Sequence, residues 1–104
     1  MSTKPEYMEY VAEQMSDAGD ITYKKMFGEY GVYLDGKIFG LVCDNQLYVK
    51  ITEAGRALIP NAEIAPPYDG AKPYLLISDI DSKDRLADFI KATCKELPAP
   101  KKKK

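Results

Sequence analysis

The sequence contains no histidine and no tryptophan, and only two of its 104 residues, Cys43 and Cys94, are cysteines. The absence of histidine excludes the common zinc ligand sets and every histidine-based catalytic triad. Two cysteines are too few for a disulfide scaffold, and each lies in an apolar pattern that favours burial over nucleophilic use. We therefore predict a protein without cofactor, metal or enzymatic activity.

Long apolar runs are also missing, since none approaches the roughly 20 residues that a membrane span needs. Residues 1–6 are polar and do not resemble a signal peptide, so we expect a cytoplasmic protein that does not associate with membranes. A chain of this length holds one hydrophobic core, and we predict a single domain at residues 1–97.

Charge is distributed unevenly along the chain. The formal net charge is −1, but four of the fifteen basic residues form the run 101–104, which leaves −5 on residues 1–100. Pro98 and Pro100 end the preceding helix and the lysines cannot be buried, so we predict a disordered tail at 98–104. An acidic body opposes nucleic-acid binding, which makes nucleic acid an unexpected partner for the chain alone.

The first half of the sequence predicts one helix and a three-strand meander. The helix begins with a capping box at Thr3 and Glu6 and ends near Ala18. The run 21–23 favours a strand but is short. Three clearer strands lie at 30–34, 37–43 and 46–51, and their turns are Asp35-Gly36 and Asp44-Asn45.

The second half predicts a short helix, two strands and a last helix. Thr52 is the expected N-cap of the short helix, and Asp81 or Ser82 that of the last helix. The acids Asp79 and Asp81 have a spacing seen in cation sites, but the calcium-loop template fails, so we interpret them as capping residues. The fold class is α+β, an antiparallel sheet with helices on one face, in the order α-β(3)-α-β(2)-α.

Two-residue turns determine strand register and therefore the two faces of the meander. The face predicted to be the core carries Tyr33, Ile38, Val42, Leu47, Val49 and Ile51, with Gly31 opposite Gly40. The opposite face carries Tyr30, Val32, Leu34, Lys37, Phe39, Leu41, Cys43, Gln46, Tyr48 and Lys50. Monomers rarely expose such apolar patches, so this second face is predicted to bind a protein partner or a second copy. Cover by the Pro-rich segment 60–73 is the alternative.

The residues proposed to contact the partner are Tyr30, Val32, Leu34, Lys37, Phe39, Leu41, Tyr48 and Lys50. The alternative function for the same face is single-stranded nucleic-acid binding. In that case Tyr30, Phe39 and Tyr48 would stack bases. Lys37 and Lys50 would contact phosphates.

A longer motif crosses the meander. It consists of Lys24-Lys25, Met26-Phe27-Gly28, Tyr30-Gly31, Tyr33, Asp35-Gly36 and, later, Leu47-Tyr48-Val49-Lys50. This motif resembles the N-terminal domain of the TfoX/Sxy competence-regulator family, and the similarity spans most of residues 5–97. Two positions depart from the family pattern: Glu29 stands where glycine is common, and Gly40 where alanine is common.

The resemblance implies a secretion-chaperone-like fold and a non-enzymatic bacterial regulator. Members of the family regulate competence for DNA uptake together with a cyclic-AMP-responsive transcription activator, and they supply no catalytic residues. Full-length regulators add a helical C-terminal domain, so we expect a stand-alone copy of the first domain. The predicted function is therefore a regulatory domain that acts through protein–protein contacts, in transcriptional regulation of competence.

Overall fold

The structure is a computed structural model that describes residues 3–26, 29–78 and 80–97. Its helices are α1 (Pro5–Met15), α2 (Glu53–Leu58) and α3 (Lys83–Glu96), and a 3-10 turn (Ser16–Ala18) follows α1. Its strands are β1 (Ile21–Met26), β2 (Glu29–Leu34), β3 (Lys37–Cys43), β4 (Gln46–Val49), β5 (Glu63–Ala65) and β6 (Tyr74–Ile77). The predicted tail at 98–104 lies outside the described residues.

The described strands form one antiparallel sheet in the spatial order β1-β2-β3-β4-β6-β5. The predicted fold class is confirmed, and β1 adds one strand to the predicted order. This strand pairs with β2 along its whole length, from Ile21 opposite Leu34 to Met26 opposite Glu29. The two lysines in β1 suit an edge strand, because charged side chains there discourage pairing with another chain. Pairing with β2 thus extends the predicted short run 21–23 to the six residues of β1.

The β2–β3 hairpin contains a β-bulge that changes the predicted register. Next to the turn, Leu34 pairs with Lys37 and Tyr33 with Ile38, as predicted. Beyond that point Val32 pairs with Gly40, and the intervening Phe39 has no opposite residue. The rest of β2 is therefore shifted by one residue against β3. The predicted pairing of Gly31 with Gly40 is wrong.

Gly40 allows β3 to pack closely against β4. A Cβ atom at this position would lie 2.2 Å from the carbonyl oxygen of Tyr48, a distance that no alanine could accept without backbone movement. The amide of Lys50 donates to the carbonyl of Phe39 at 2.8 Å and holds β3 and β4 together there. A bulge bends its strand, and glycine permits the close approach that results.

One face of the sheet packs against the helices and forms the core. The buried strand residues of this face are Tyr30, Val32, Leu34, Phe39, Val42, Leu47, Val49, Leu75 and Ile77. The helical side chains in the same cluster are Met8, Val11, Met15, Leu86, Phe89, Ile90 and Cys94. The predicted core is therefore correct for Val42, Leu47 and Val49. It is wrong for Tyr33 and Ile38, which strand alternation and the bulge place on the other face, and for Ile51, which follows the end of β4 and is exposed.

The N-terminus of α2 is capped from two directions. The Thr52 hydroxyl accepts from the Gly55 amide at 3.0 Å, which confirms the predicted N-cap. The carboxylate of Glu96, at the end of α3, accepts from the amides of Glu53 and Ala54 at 3.1 and 3.0 Å. A carboxylate at a helix N-terminus is stabilising because unsatisfied amides and the helix dipole favour negative charge.

The N-terminus of α1 differs from the prediction. Its N-cap is Lys4 rather than Thr3, and no side chain caps it. The amide of Thr3 donates to the Glu29 carboxylate at 3.0 Å, and the Thr3 hydroxyl accepts from the Asn45 amide at 3.2 Å. The predicted capping box with Glu6 is wrong because Thr3 instead joins the start of the chain to the β3–β4 turn.

The other half of α1 is joined to the start of α3. The side-chain amide of Gln14 donates to the carbonyl of Ile80 at 2.9 Å, and the hydroxyl of Tyr10 donates to the carboxylate of Asp81. Ser82 occupies the N-cap position of α3, one of the two predicted residues, but its side chain makes no capping hydrogen bond. These contacts hold α1 and α3 together on the core face.

Candidate interaction surface

The face of the sheet opposite the helices is here called the outer face. Strand pairing places six residues in one row across the full sheet: Lys24, Gly31, Leu41, Tyr48, Leu76 and Glu63. By strand alternation, Tyr33, Ile38, Lys50 and Tyr74 lie on one side of this row, and Cys43 and Gln46 on the other. The middle of the row is apolar and its two ends carry opposite charges.

The outer face is partly accessible to solvent. Tyr33, Ile38, Leu41, Tyr74 and Leu76 are half-buried, whereas Tyr48 and Cys43 are 6% and 4% exposed. The Tyr48 hydroxyl donates to the side-chain oxygen of Gln46 at 2.9 Å, which holds the ring against the sheet. The buried residues of α1 and α3 belong to the core cluster, so they leave this face without a helical cover among the residues described.

The Pro-rich segment borders one end of the outer face. Pro67 is buried, and Tyr68 is 60% exposed. Burial raises the pKa of the Tyr74 phenol, and the nearby Tyr68 phenol and the Cys43 thiol add to that rise. Tyr68 of this segment therefore lies near the Tyr74 end of the face, whereas the alternative prediction was that the segment covers the second face as a whole. Tyr33, Ile38 and Leu41 keep part of their surface open.

The eight residues predicted to contact a partner do not share one surface. Tyr30, Val32, Leu34 and Phe39 lie in the core, a consequence of the bulge. Leu41, Tyr48 and Lys50 lie on the outer face. The Nζ atom of Lys37 donates to the carbonyl oxygen of Cys94 at 2.7 Å, at the end of α3. The predicted surface is thus wrong for the residues in the core.

Sequence reasoning missed Tyr33, Ile38, Tyr74 and Leu76 as members of the outer face. No sequence signal could have assigned the last two, because the run Tyr74 to Ile77 is apolar at every position. No signal marked the first two either, because the bulge that moves them depends on the packing of Phe39.

Neither thiol has the character of a nucleophile. Burial raises the pKa of Cys43 to about 11, and the carboxylates of Glu29 and Asp44 act in the same direction. Burial also raises the pKa of Cys94 to about 11, although the ammonium group of Lys37 opposes this rise. Since the thiolate is the reactive species, both groups are inert near neutral pH.

A groove of about 480 Å³ opens between the end of α2, strand β6 and the first turns of α3. Ile77, Leu86 and Phe89 are among its apolar lining residues, and Arg85 and Asp88 are among its charged ones. Leu58, another lining residue, is 51% exposed. The groove is a second apolar surface, and its lining also includes Glu63 and Leu76 of the outer row.

Two further features bear on function. Over 3–26, 29–78 and 80–97, no three cysteine or acidic side chains come together as metal ligands do. The helices in these same ranges are too short or too polar to cross a lipid bilayer. The predicted capping role of Asp79 falls on a residue outside the description.

The sequence model of the TfoX N-terminal domain family matches residues 13–97. The chain belongs to this family. It is also 39% identical over 105 residues to an uncharacterised 12.7 kDa protein from the trpE 5′ region of Spirochaeta aurantia, with 100% of this chain and 91% of that protein aligned. The predicted family is confirmed, and this relative extends the similarity along the whole chain.

The motif of the TfoX N-terminal domain is distributed over three structural roles. Lys24 lies on the outer face of the edge strand β1. Lys25 points to the opposite side of the same strand and is exposed to solvent there. Asp35 and Gly36 form the β2–β3 turn with φ angles of 51° and 86°, as the two-residue turn requires. The segment Phe27-Gly28 lies outside the described residues. The motif therefore combines the hairpin turn with residues of both faces of the sheet.

Proposed function

We propose that this TfoX N-terminal domain is a non-catalytic regulatory domain that acts through protein–protein contacts of its outer face, in transcriptional regulation of competence for DNA uptake. The observation that carries the proposal is the outer row, in which Leu41, Tyr48 and Leu76 lie between the charges of Lys24 and Glu63. Membership of the family supports the regulatory role.

The composition of the outer face suits a protein partner. Interface centres are enriched in aromatic side chains and depleted of charge, and their rims are polar. The accessible part of the outer face follows this arrangement, with the half-buried Tyr33 and Tyr74 between the charged residues at both ends of the row. Covering half-buried leucine and isoleucine side chains gains about 25 cal/mol for each Å² removed from water, which favours a protein surface of matching shape.

Single-stranded nucleic acid is a less suitable partner. Of the three aromatic residues predicted to stack bases, Tyr30 and Phe39 are 8% and 0% exposed in the core. The ammonium group of Lys37 is bonded to the carbonyl of Cys94. Base stacking needs an accessible ring face, and phosphate contacts need free cations, so the predicted nucleic-acid site is not assembled.

The proposal is tested by calorimetric titration of the chain with a purified cyclic-AMP-responsive transcription activator, the class of partner that the family resemblance implies. We expect Leu41→Ser to weaken binding at least about tenfold, because it removes apolar contact at the centre of the face. The matched control is Leu58→Ser, which makes the same change at the groove and should bind like the unmodified chain.

Circular dichroism of both variants checks that they fold. Two results would contradict the proposal: no heat of binding with the unmodified chain at low salt, or loss of binding in Leu58→Ser with none in Leu41→Ser. The second result would move the partner to the groove between α2, β6 and α3.

A further inference from the structure

We propose that, in the absence of another partner, the outer face binds a second copy of the chain, in a dimer whose two-fold axis runs parallel to the strands between β3 and β4. The proposal rests on the proposed use of this face for protein contacts and names an occupant for it. The dimer and the complex with a regulatory partner would exclude each other, because both cover the same residues.

Two symmetric arrangements of facing sheets are consistent with a closed dimer. If the axis ran along the row, each residue would face its own counterpart, so that Lys24 would meet Lys24, Glu63 would meet Glu63, and Gly31 would lie over Gly31. If the axis runs parallel to the strands, β1 faces β5, β2 faces β6, and β3 faces β4 of the second copy. Opposite ends of the row then meet.

Charge favours the axis parallel to the strands. It brings Lys24 of each copy next to Glu63 of the other, and both residues are exposed at the ends of the row. The alternative axis places like charges together at both ends, which is unfavourable. The remaining lysine of the face, Lys50, lies opposite Ile38 of the second copy in the favoured arrangement and meets no like charge.

Shape favours the same axis. Gly31, whose partner in β3 is Leu41, lacks a side chain. In the favoured arrangement the large side chain of Leu76 of the second copy lies opposite Gly31, and Leu41 lies opposite Tyr48. Tyr33 lies opposite Tyr74, a pairing of aromatic rings that adds to burial. Side chains from two facing sheets interdigitate in this way when strands are nearly aligned.

The size of the face sets the expected affinity. In the favoured arrangement the strands of six or seven residues face strands of three or four. With strands about 4.8 Å apart and residues about 3.4 Å apart, the overlap is roughly 360 Å² per copy, or about 700 Å² in total. This is smaller than a standard interface and typical of weak, transient contacts, so we expect a dissociation constant of about 100 µM. The dimer would then dissociate on dilution. This would leave the outer face free to bind the regulatory partner.

The test is sedimentation velocity of the purified full chain from about 1 µM to about 1 mM, a range that brackets this dissociation constant. We expect the unmodified chain to change from monomer to dimer across this range. Lys24→Glu and Glu63→Lys should each weaken the dimer about tenfold, since each places two like-charge contacts in the interface. An equimolar mixture of the two variants, and the chain carrying both changes, should recover the dimer.

Lys91→Glu, an exposed charge reversal on α3, is the control that should leave dimerisation unchanged. The proposal is overturned if the unmodified chain stays monomeric at the highest concentration, or if the mixed and doubly changed chains remain as weak as the single variants. A monomeric chain that still binds the transcription activator through Leu41 would overturn the dimer and leave the proposed function intact. A chain that forms the dimer but binds no activator would contradict the proposed function and support the dimer.

Discussion

At the scale of single residues, buried threonine hydroxyls differ in whether they find a partner. The hydroxyl of Thr52 caps α2, and that of Thr3 bonds to the Glu29 carboxylate and the Asn45 amide. The hydroxyl of Thr93, which is 0% exposed, has no hydrogen-bond partner within 3–26, 29–78 and 80–97. The Thr93 hydroxyl packs against Gly55, where a Cβ atom would lie only 2.7 Å from it.

We expect Thr93→Val to raise the free energy of unfolding by about 1 kcal/mol, because an unsatisfied buried hydroxyl costs about 1–3 kcal/mol and valine has nearly the same shape. The same change at Thr52 should lower the free energy of unfolding by about 1 kcal/mol, because it removes a helix cap. Urea unfolding of the two variants measures both effects. Destabilisation by Thr93→Val would show that its hydroxyl is satisfied in solution.

At the scale of elements, the bulge in the β2–β3 hairpin determines which of two adjacent residues of β3, Ile38 or Phe39, is buried in the core. Phe39 is fully buried in the core, whereas Ile38 is half-buried on the outer face. A regular hairpin would have paired Phe39 with Val32. The extra residue instead lets β3 present the phenylalanine to the helices while Gly40 approaches the backbone of β4.

This placement predicts unequal costs for adjacent truncations. We expect Phe39→Ala to lower the free energy of unfolding by about 3–5 kcal/mol, as is usual for a large aromatic residue in a core. Ile38→Ala should cost less than about 2 kcal/mol, because part of the side chain already contacts water. Chemical denaturation of both variants gives the comparison. A larger cost at Ile38 would contradict the bulge and restore the regular register.

At the scale of the whole molecule, several ionisable groups are neutral and buried in the folded chain. The pKa values of Cys43 and Cys94 are raised to about 11 by burial, and burial also raises those of Tyr7, Tyr48 and Tyr74. In the unfolded chain these groups ionise at lower pH. The unfolded state therefore binds fewer protons than the folded state in this alkaline range, and stability falls as pH rises.

We expect the free energy of unfolding to fall between about pH 9 and pH 11, the interval between the ordinary and raised pKa values of the two thiols. Urea unfolding at a series of pH values measures this slope. A chain with Cys43→Ala and Cys94→Ala should show a shallower slope, whatever its absolute stability at neutral pH. An unchanged slope in that chain would show that groups other than the two thiols cause the loss of stability at alkaline pH.

Most local features of this protein were determined by its sequence alone, although the predicted capping box at Thr3 was wrong. Apolar spacing predicted the helices, the Asp35-Gly36 and Asp44-Asn45 pairs predicted the two turns, and Thr52 was recognisable as a cap. The motif from Lys24 onward identified the family. Each of these signals depends on residues within a few positions of one another, where backbone preference and helical or strand periodicity act directly.

The faces of the sheet were decided only by the tertiary structure. The register beyond Val32 depends on whether Phe39 is buried against the helices and whether Gly40 can approach Tyr48, contacts that no local pattern reports. The cap on α2 from Glu96 and the bond from Lys37 to the carbonyl of Cys94 likewise join residues more than 40 positions apart. A one-residue shift reverses which side chains reach the core, because successive residues of a strand point to opposite faces.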